Sequence, residues 1–132
     1  MNETYKSKRF HRDYSPEGLL VLSGPKNDIS KGSRWMLADE NGYVQVELLP
    51  DEKGLKKNTL YIEYIEIKTH LRKRGLGTIL YKKTEKFAKN VGASWIQIDS
   101  ELEALDFWIR LGFQKASISN YKDKISMIKC LS

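Results

Sequence analysis

A short basic segment with two glycines, Arg72 to Thr78, combines residue types that bind anions. It follows a stretch rich in β-branched and aromatic residues, and from Leu76 onward the apolar residues recur at helical spacing. The N–H groups at the start of a helix lack intrahelical partners, and the helix dipole adds partial positive charge there. Glycine lets an anion approach that backbone closely, because no Cβ intervenes. The segment therefore predicts a turn that binds a pyrophosphate or a similar anion.

Two common nucleotide-binding motifs do not fit this segment. No Gly-Lys-Ser/Thr follows it, as a Walker motif requires, and the third glycine of the dinucleotide fingerprint is missing. An ordinary turn between a strand and a helix, with solubilising basic residues, is the alternative interpretation. If the segment does bind an anion, Arg72 and Arg74 can add charge-assisted hydrogen bonds, and Thr78 can add a hydroxyl donor.

Strands and helices alternate on both sides of this turn. Gly92 and Gly112 are expected to end two helices, because glycine adopts the left-handed conformation common after a helix. The predicted elements are a strand over Thr59–Ile67, a helix from Leu76 that stops within Asn90–Gly92, a strand over Trp95–Ile98, a helix over Glu101–Leu111, and strands over Phe113–Ser119 and Lys124–Leu131.

The first half of the chain predicts strands and no amphipathic helix. A strand is expected within Gly18–Ser23, followed by a polar loop from Pro25 to Arg34. The Asn-Gly pair at 41–42 predicts a hairpin between Trp35–Ala38 and Tyr43–Leu49. This order of elements predicts one α/β or α+β domain over residues 1–132 with a mixed sheet, in which residues 1–17 form a flexible tail.

Composition narrows the class of protein. The chain has 132 residues, the size of one domain, and its 40% hydrophobic and 30% charged residues are typical of a globular protein. No apolar run approaches the about 20 residues of a membrane span, and Met1 to Ser15 contain no signal-like apolar region. The single cysteine, Cys130, is expected to be a small core residue, and one cysteine fits a reducing cytoplasm. No metal site is predicted.

The net charge of +6 is compatible with nucleic acid, an anionic surface or a polyanionic small ligand. Basic and aromatic residues alternate between Tyr5 and Tyr14, as in some nucleic-acid-binding segments, but a flexible solubilising tail is the preferred interpretation, so nucleic acid is not the expected partner. The basic residues that flank the two glycines favour the polyanionic ligand. The lysines of the following helix fit its solvated face.

Two spaced motifs resemble those of one enzyme superfamily. Arg72-x-x-Gly75-x-Gly77, between a strand and an amphipathic helix, resembles the coenzyme A loop of the GNAT acetyltransferases, Gln/Arg-x-x-Gly-x-Gly/Ala. Ala104 to Phe113 resembles their Ala-x-x-Phe-Tyr-x-x-x-Gly-Phe segment, and Met127 to Leu131 their last strand. Over residues 59–131 the resemblance implies a mostly antiparallel sheet with flanking helices. It also implies transfer of an acetyl group from acetyl-CoA to a primary amine of a small molecule or protein, by direct attack in a ternary complex.

The resemblance also implies roles for individual residues. Backbone groups near Ile65 and Ile67 would hold the pantetheine arm, the amides from Arg72 to Thr78 the pyrophosphate, and Trp108 would pack against the coenzyme or the acceptor. The residues implied in binding acetyl-CoA are Ile65, Glu66, Ile67, Arg72, Lys73, Arg74, Gly75, Leu76, Gly77, Thr78 and Trp108.

Glu63 is the first candidate for the general base. Tyr61 to Ile67 resembles the Tyr-Val-Glu-Gly-Ile-Tyr-Val segment of aminoglycoside and polyamine N-acetyltransferases, whose glutamate faces the acceptor amine. A base is needed because an amine is protonated at neutral pH and only the neutral form attacks a thioester. In a regular strand Glu63 shares a face with Tyr61 and Ile65 while Glu66, the second candidate, lies opposite, although a bulge would reverse this. Either glutamate can instead be a solvated strand residue.

Three departures from the family pattern bear on mechanism. Trp108 replaces the tyrosine that commonly protonates the thiolate, which predicts catalysis without a side-chain acid or with Tyr121 as the donor. Glu101 replaces a frequent asparagine. The helices that usually follow the first strand are reduced or absent, so the acceptor pocket is open or completed in a homodimer. A GNAT-fold module that binds coenzyme A or a protein partner without catalysis is the alternative function.

Overall fold

The computed structural model describes residues 17–28, 32–67, 75–116 and 123–132. Seven strands in this part of the chain form one sheet, and two α-helices pack beside it. In chain order the elements are β1 (Leu20–Asp28), β2 (Gly32–Ala38), β3 (Gly42–Leu48), β4 (Thr59–Ile67), α1 (Leu76–Asn90), β5 (Trp95–Glu101), a 3₁₀ turn (Leu102–Ala104), α2 (Leu105–Arg110), β6 (Gln114–Lys115) and β7 (Lys124–Cys130).

The sheet is mixed and mostly antiparallel, as predicted. Its strand order is β1-β2-β3-β4-β5-β7-β6, and every neighbouring pair is antiparallel except β4 and β5. Helix α1 connects these two parallel strands, because a parallel pair needs a long crossover rather than a hairpin. The turn that carries the two glycines therefore lies within the crossover between the only parallel strands among the described elements.

The core lies between the sheet and the apolar face of α1. Leu80, Tyr81 and Ala88 of this helix are fully buried, and its exposed lysines include Lys82 and Lys86 on the opposite side. The helix packs against β3 and β4. The buried sheet residues on this side include Val44, Val46, Leu60 and Ile62. Burial of such aliphatic side chains contributes about 1.5–3 kcal/mol each.

Both helices end in the same local structure, at the predicted glycines. Gly92 has a φ of +91° and Gly112 a φ of +97°, conformations that favour glycine. After α1, the N–H of Ala93 donates to the carbonyl of Ala88 at 2.9 Å, and after α2 the N–H of Phe113 donates to the carbonyl of Trp108 at 3.1 Å. These are Schellman motifs, which satisfy carbonyls that the helix itself leaves unpaired.

The β2–β3 hairpin forms around Asn41 and Gly42, as predicted, and Asp39 organises it. The Oδ1 atom of Asp39 accepts hydrogen bonds from the backbone N–H groups of Asn41 and Gly42, at 2.8 and 3.0 Å. Its Oδ2 atom accepts a hydrogen bond from Lys83 of α1 at 3.2 Å, while the Asp39 side chain is fully buried. This carboxylate therefore links the turn to the helix that crosses the sheet.

The prediction of a loop from Pro25 to Arg34 is wrong, because both ends of this segment are strands. β1 continues to Asp28 and β2 begins at Gly32, with Lys26 paired to Arg34, while residues 29–31 lie outside the described part. β1 is an edge strand, and its residues from Leu22 to Asp28 are exposed. An exposed edge strand needs no alternation of apolar and polar residues and tolerates proline. The sequence of this part of β1 therefore resembles that of a polar loop.

Other boundaries also differ from prediction. β5 runs to Glu101, so this residue ends a strand instead of starting a helix, and α2 begins at Leu105 after a 3₁₀ turn. β6 contains only Gln114 and Lys115, and residues 117–122 lie outside the description. Cys130 is exposed, because it is at the end of β7, and it is not a core residue. Residues 17–28 and 32–67 contain no helix, as predicted, and no described helix is long and apolar enough to cross a bilayer.

Candidate active site

A cleft opens where β4 and β5 separate. Three pairs join these strands, the last being Tyr61 with Gln97, and beyond it each strand continues without pairing to the other. The resulting cleft has a volume of about 480 Å³. It is lined by residues 62–67 of β4, residues 98–101 at the end of β5, Ala104, Phe107 and Trp108 near and on α2, Gly77 of α1, and Lys124 of β7.

The first turn of α1 borders this cleft. Gly75 precedes the helix with a φ of +74°, and the first turn contains no acidic side chain. A Cβ added at Gly77 would lie 3.6 Å from Phe107 Cζ and 3.8 Å from Ile67 Cγ1, so a side chain here would extend from the helix between the cleft walls. The free N–H groups of a helix start can bind an anion at this place. Leu76 and Thr78 belong to the same turn, whereas Arg72, Lys73 and Arg74 lie outside the described residues.

A bulge in β4 brings both candidate glutamates to one face of the sheet. Gln45 of β3 pairs with Tyr64, and Val46 pairs with Ile62, so Glu63 is the extra residue. The expectation that Glu66 lies on the opposite face from Glu63, as in a regular strand, is therefore wrong, and the alternative with a bulge holds.

The contacts across the sheet define the two faces. Ile65 pairs with the buried Val44 and so lies on the helix side, whereas Glu66 pairs with Tyr43 on the other side. Glu63 contacts Gln45, which alternates with Val44 along β3. Glu63 and Glu66 thus share the face opposite α1, because the bulge shifts the alternation by one residue.

Glu63 is held on one carboxylate oxygen. The Nε2 atom of Gln45 donates to Glu63 Oε2 at 2.6 Å, and Arg34 Nη2 lies 3.4 Å from the same oxygen. Arg34 is itself positioned by Glu47, at 3.2 Å. No described residue donates a hydrogen bond to Glu63 Oε1, and the side chain is 41% exposed. This carboxylate therefore retains an oxygen that can accept a proton from a ligand or a water.

Glu66 has a more occupied environment. The hydroxyls of Tyr43 and Tyr64 both donate to Glu66 Oε2 at 2.6 Å, and the two phenol oxygens lie 3.1 Å apart. The hydrogen bond to Glu66, followed by that to Tyr43, raises the pKa of Tyr64 well above its ordinary value. Because two phenol hydroxyls already donate to Glu66 Oε2, this oxygen is less suited than Glu63 Oε1 to act as a base.

Trp108 is part of the wall between the cleft and the core. Its side chain is 6% exposed, and its ring makes edge contacts with Tyr81, Phe107 and Phe113 at centroid distances of 5.7, 4.9 and 5.2 Å. Its indole can pack against a ligand but is not a practical proton donor. Tyr121, the other candidate donor, lies outside the described residues.

Sequence reasoning missed two residues at this site, Phe107 and Asp99. Phe107 lines the cleft beside Gly77. It lies within the segment that carries the family pattern, but no role was predicted for it. Asp99 also lines the cleft and accepts hydrogen bonds from Tyr61 and Ser126. Alternation along β5 would have placed Asp99 on the face of Gln97, but its partners come from two other strands and leave no local signal.

The chain belongs to the acetyltransferase (GNAT) family, because residues 4–113 match the model of that family. The N-acetyltransferase resemblance of the glycine turn and of the segment around Trp108 is thereby confirmed at the level of the family. Membership supports acyl transfer from an acyl-CoA donor as the general class of activity. No curated protein matches the chain in sequence.

Solved acetyltransferases share the fold. A Bacillus subtilis acetyltransferase in complex with CoA is 18% identical, with a TM-score of 0.58 over 77% of this chain and 78% of that one. An aminoglycoside 6′-N-acetyltransferase complexed with coenzyme A is 16% identical, with a TM-score of 0.59 over 75% and 73%. An IAA acetyltransferase from Bacillus cereus is 18% identical, with a TM-score of 0.58 over 76% and 78%. At such identities the likeness concerns the fold alone.

Proposed function

We propose that this protein transfers the acetyl group of acetyl-CoA to a primary amine of a small molecule or protein, by direct attack in a ternary complex. One observation carries the proposal: a single cleft joins the first turn of α1, at Gly77, to the carboxylate of Glu63. A candidate anion-binding helix start and a candidate base thus border the same cavity. The proposed catalytic domain comprises the whole chain, with the acyl-donor site in residues 59–131.

The acyl donor would lie between the separated strands. Its pantetheine arm carries amides, which can bond with the backbone groups of Ile65 to Ile67 that face the gap to β5. Its pyrophosphate would meet the N–H groups from Gly75 to Thr78, with Arg72, Lys73 and Arg74 as further cationic candidates. Gly77 suits this position because it leaves the space between Ile67 and Phe107 unfilled.

The acceptor would approach Glu63 from the face of the sheet opposite α1. Glu63 Oε1, or a water beside it, takes a proton from the ammonium group. The neutral nitrogen then attacks the thioester carbonyl carbon, the carbon–sulfur bond breaks, and the products are an amide and the coenzyme A thiolate. Gln45 and Arg34 keep the Glu63 carboxylate in place during these steps. Glu66, held by two phenols, is the second candidate for the base.

The leaving thiolate needs no strong acid. A thiol of this kind has a pKa of about 8.5, close to that of a free cysteine, so its anion is a tolerable leaving group near neutral pH. Water or the proton released by the amine can neutralise it. Trp108 would then contribute by packing, and Tyr121 is the residue to test as an alternative proton donor.

The proposal is tested by incubating the protein with acetyl-CoA and a panel of amines, and measuring thiol release. The panel contains polyamines, an aminoglycoside, amino acids and lysine-containing peptides. We expect thiol release that depends on at least one amine, and calorimetric binding of coenzyme A. Absence of binding at millimolar coenzyme A would refute the proposal. Sedimentation of the active protein tests the homodimer that we propose as a way to complete the acceptor pocket.

A second candidate is a module that binds coenzyme A without catalysis. The observation that favours it is the buried Trp108 at the place where the family commonly has a tyrosine acid. Coenzyme A binding without amine-dependent thiol release across the whole panel would favour this candidate. The available Oε1 atom of Glu63 favours the enzyme.

A further inference from the structure

Side chains tie β4 to β5 at the point where their backbones part. The Tyr61 hydroxyl donates a hydrogen bond of 2.7 Å to Asp99 Oδ2. Tyr61 and Gln97 form the last backbone pair of the two strands, and Asp99 lies two residues further along β5, on the cleft wall. The link therefore joins the last residue of the ladder on β4 to a residue just beyond the ladder on β5, at the closed end of the cleft.

The other oxygen of Asp99 is held from the opposite side. Ser126 Oγ donates to Asp99 Oδ1 at 2.6 Å, and Ser126 is also the register partner of Asp99 on β7. The Ser126 side chain is almost completely buried. Hydrogen bonds to an ionised carboxylate are shorter and stronger than neutral ones. Asp99 thus cannot rotate without breaking a bond to either β4 or β7.

This bridge lies at a short ladder in the middle of the sheet. Three residue pairs join β4 to β5, whereas seven join β3 to β4 and seven join β5 to β7. The backbone alone therefore constrains the separation of the two cleft walls less than it constrains either wall against its outer neighbour. A side-chain bridge at the end of the short ladder supplies the missing constraint.

We propose that Tyr61, Asp99 and Ser126 are positioning residues that fix the spacing of the cleft for the amide-bearing arm of the acyl donor. The inference rests on the proposed function, because it concerns the same cleft. Tyr61 and Ser126 do not line the cavity, so they act through Asp99 and the β5 wall. Without the bridge, the distance between β4 and β5 varies more, and the acyl donor therefore binds more weakly. Binding of the acceptor amine is unchanged.

The test uses Tyr61→Phe, Ser126→Ala and the double variant of the full chain. Each single change removes one hydroxyl, and loss of one such hydrogen bond corresponds to about a fivefold change in an equilibrium constant. We expect calorimetry to show about a fivefold rise in the Kd for coenzyme A in each single variant. The KM for the amine should stay at its wild-type value. In the double variant the Kd for coenzyme A should rise by less than the product of the two single increases, because both changes release the same carboxylate.

Thr84→Val is the matched control for stability. Thr84 is also fully buried and donates one hydrogen bond, to the Leu80 carbonyl at 2.8 Å, but it does not line the cleft. This variant should lower Tm and leave the Kd for coenzyme A unchanged. If Tyr61→Phe and Ser126→Ala behave like Thr84→Val, the positioning role is overturned while the proposed function stands. If wild-type protein fails to bind coenzyme A, both proposals are overturned.

Discussion

The side-chain amide of Gln45 donates a 2.6 Å hydrogen bond to the carboxylate of Glu63 across the bulge in β4. In backbone register Gln45 pairs with Tyr64, and Glu63 lies beside that pair on the same face of the sheet as Gln45. The bulge changes the face of Glu66 and not that of Glu63, so both glutamates lie on the side of the sheet opposite α1. The proposed catalytic role of Glu63 depends on the contact with Gln45, which holds the carboxylate in place.

We predict that Glu63→Gln keeps coenzyme A binding and lowers kcat/KM for the amine by about 10²–10⁴-fold, the usual effect of losing a general base. The loss should be largest at low pH, where the acceptor is protonated, and should narrow as pH approaches the pKa of the amine. The measurement is a pH–rate profile at saturating acetyl-CoA.

Glu66→Gln is the comparison for this variant, because Glu66 lies on the same face but accepts bonds from two phenols. A small effect of Glu66→Gln beside a large effect of Glu63→Gln supports the assignment. Full activity of Glu63→Gln would move the role to Glu66 or to a water.

The second prediction concerns the first turn of α1. Coenzyme A at 100 times its Kd should stabilise the wild-type protein by about 2.7 kcal/mol. Gly77→Glu should abolish this stabilisation, because it places a negative side chain between Ile67 and Phe107, where the pyrophosphate is expected. Thermal unfolding with and without the ligand measures the effect.

Gly77→Ala is the control for Gly77→Glu. It shows whether loss of ligand binding is due to the large charged side chain or to a change in the fold. Its Cβ would make ordinary contacts, at 3.6 Å from Phe107 and 3.8 Å from Ile67, so the free protein should keep its Tm. Most of the ligand-induced shift should also remain. An equal shift in wild type and Gly77→Glu would show that the ligand binds elsewhere.

The third prediction is that no side-chain acid is needed at position 108. Trp108→Phe should lower stability by about 1–3 kcal/mol through lost packing against Tyr81 and Phe113. It should alter mainly KM and leave the basic limb of the pH–rate profile unchanged. Tyr121→Phe should do little. A fall in kcat of about 100-fold or more in Tyr121→Phe, at unchanged coenzyme affinity, would identify Tyr121 as the proton donor instead.

The fourth prediction concerns an ion pair between α1 and β7. Lys129 Nζ donates to Glu85 Oε2 at 2.9 Å, and Lys89 Nζ lies 3.8 Å from Oε1. Burial alone would raise the pKa of Glu85, but the hydrogen bond from Lys129 and the positive charges of Lys129 and Lys89 outweigh it and lower that pKa. Glu85→Gln should therefore destabilise the protein by about 1–2 kcal/mol at neutral pH.

The lowered pKa of Glu85 determines how this contribution to stability depends on pH. Because the folded-state pKa of Glu85 lies below its usual value of 4.5, the contribution is present above that pH and disappears as pH falls through the folded-state pKa. Chemical unfolding of wild type and Glu85→Gln should therefore converge in acid. A constant difference down to acid pH would exclude the ion pair as its origin.

Local sequence determined the elements that depend on local chemistry. The bounds of the strand Thr59–Ile67 and the helix ends at Gly92 and Gly112 agree with prediction, because β-propensity and left-handed glycine act within a few residues. The hairpin at Asn41 and Gly42 formed for the same reason. The glycine turn around Gly77 and the segment Ala104 to Phe113 together indicated the family, because each pattern is contiguous in the sequence.

Tertiary structure alone decided which side chains meet. The bulge at Glu63 arises from the register of β4 against β3, which no pattern within β4 encodes, and it reversed the predicted faces of Ile65 and Glu66. The bridge from Tyr61 through Asp99 to Ser126 joins three strands that are distant in sequence. Register and strand order are set by packing between non-local segments, so the sequence determined the turn and the elements around it, whereas the pairing of the strands decided the shape of the cleft.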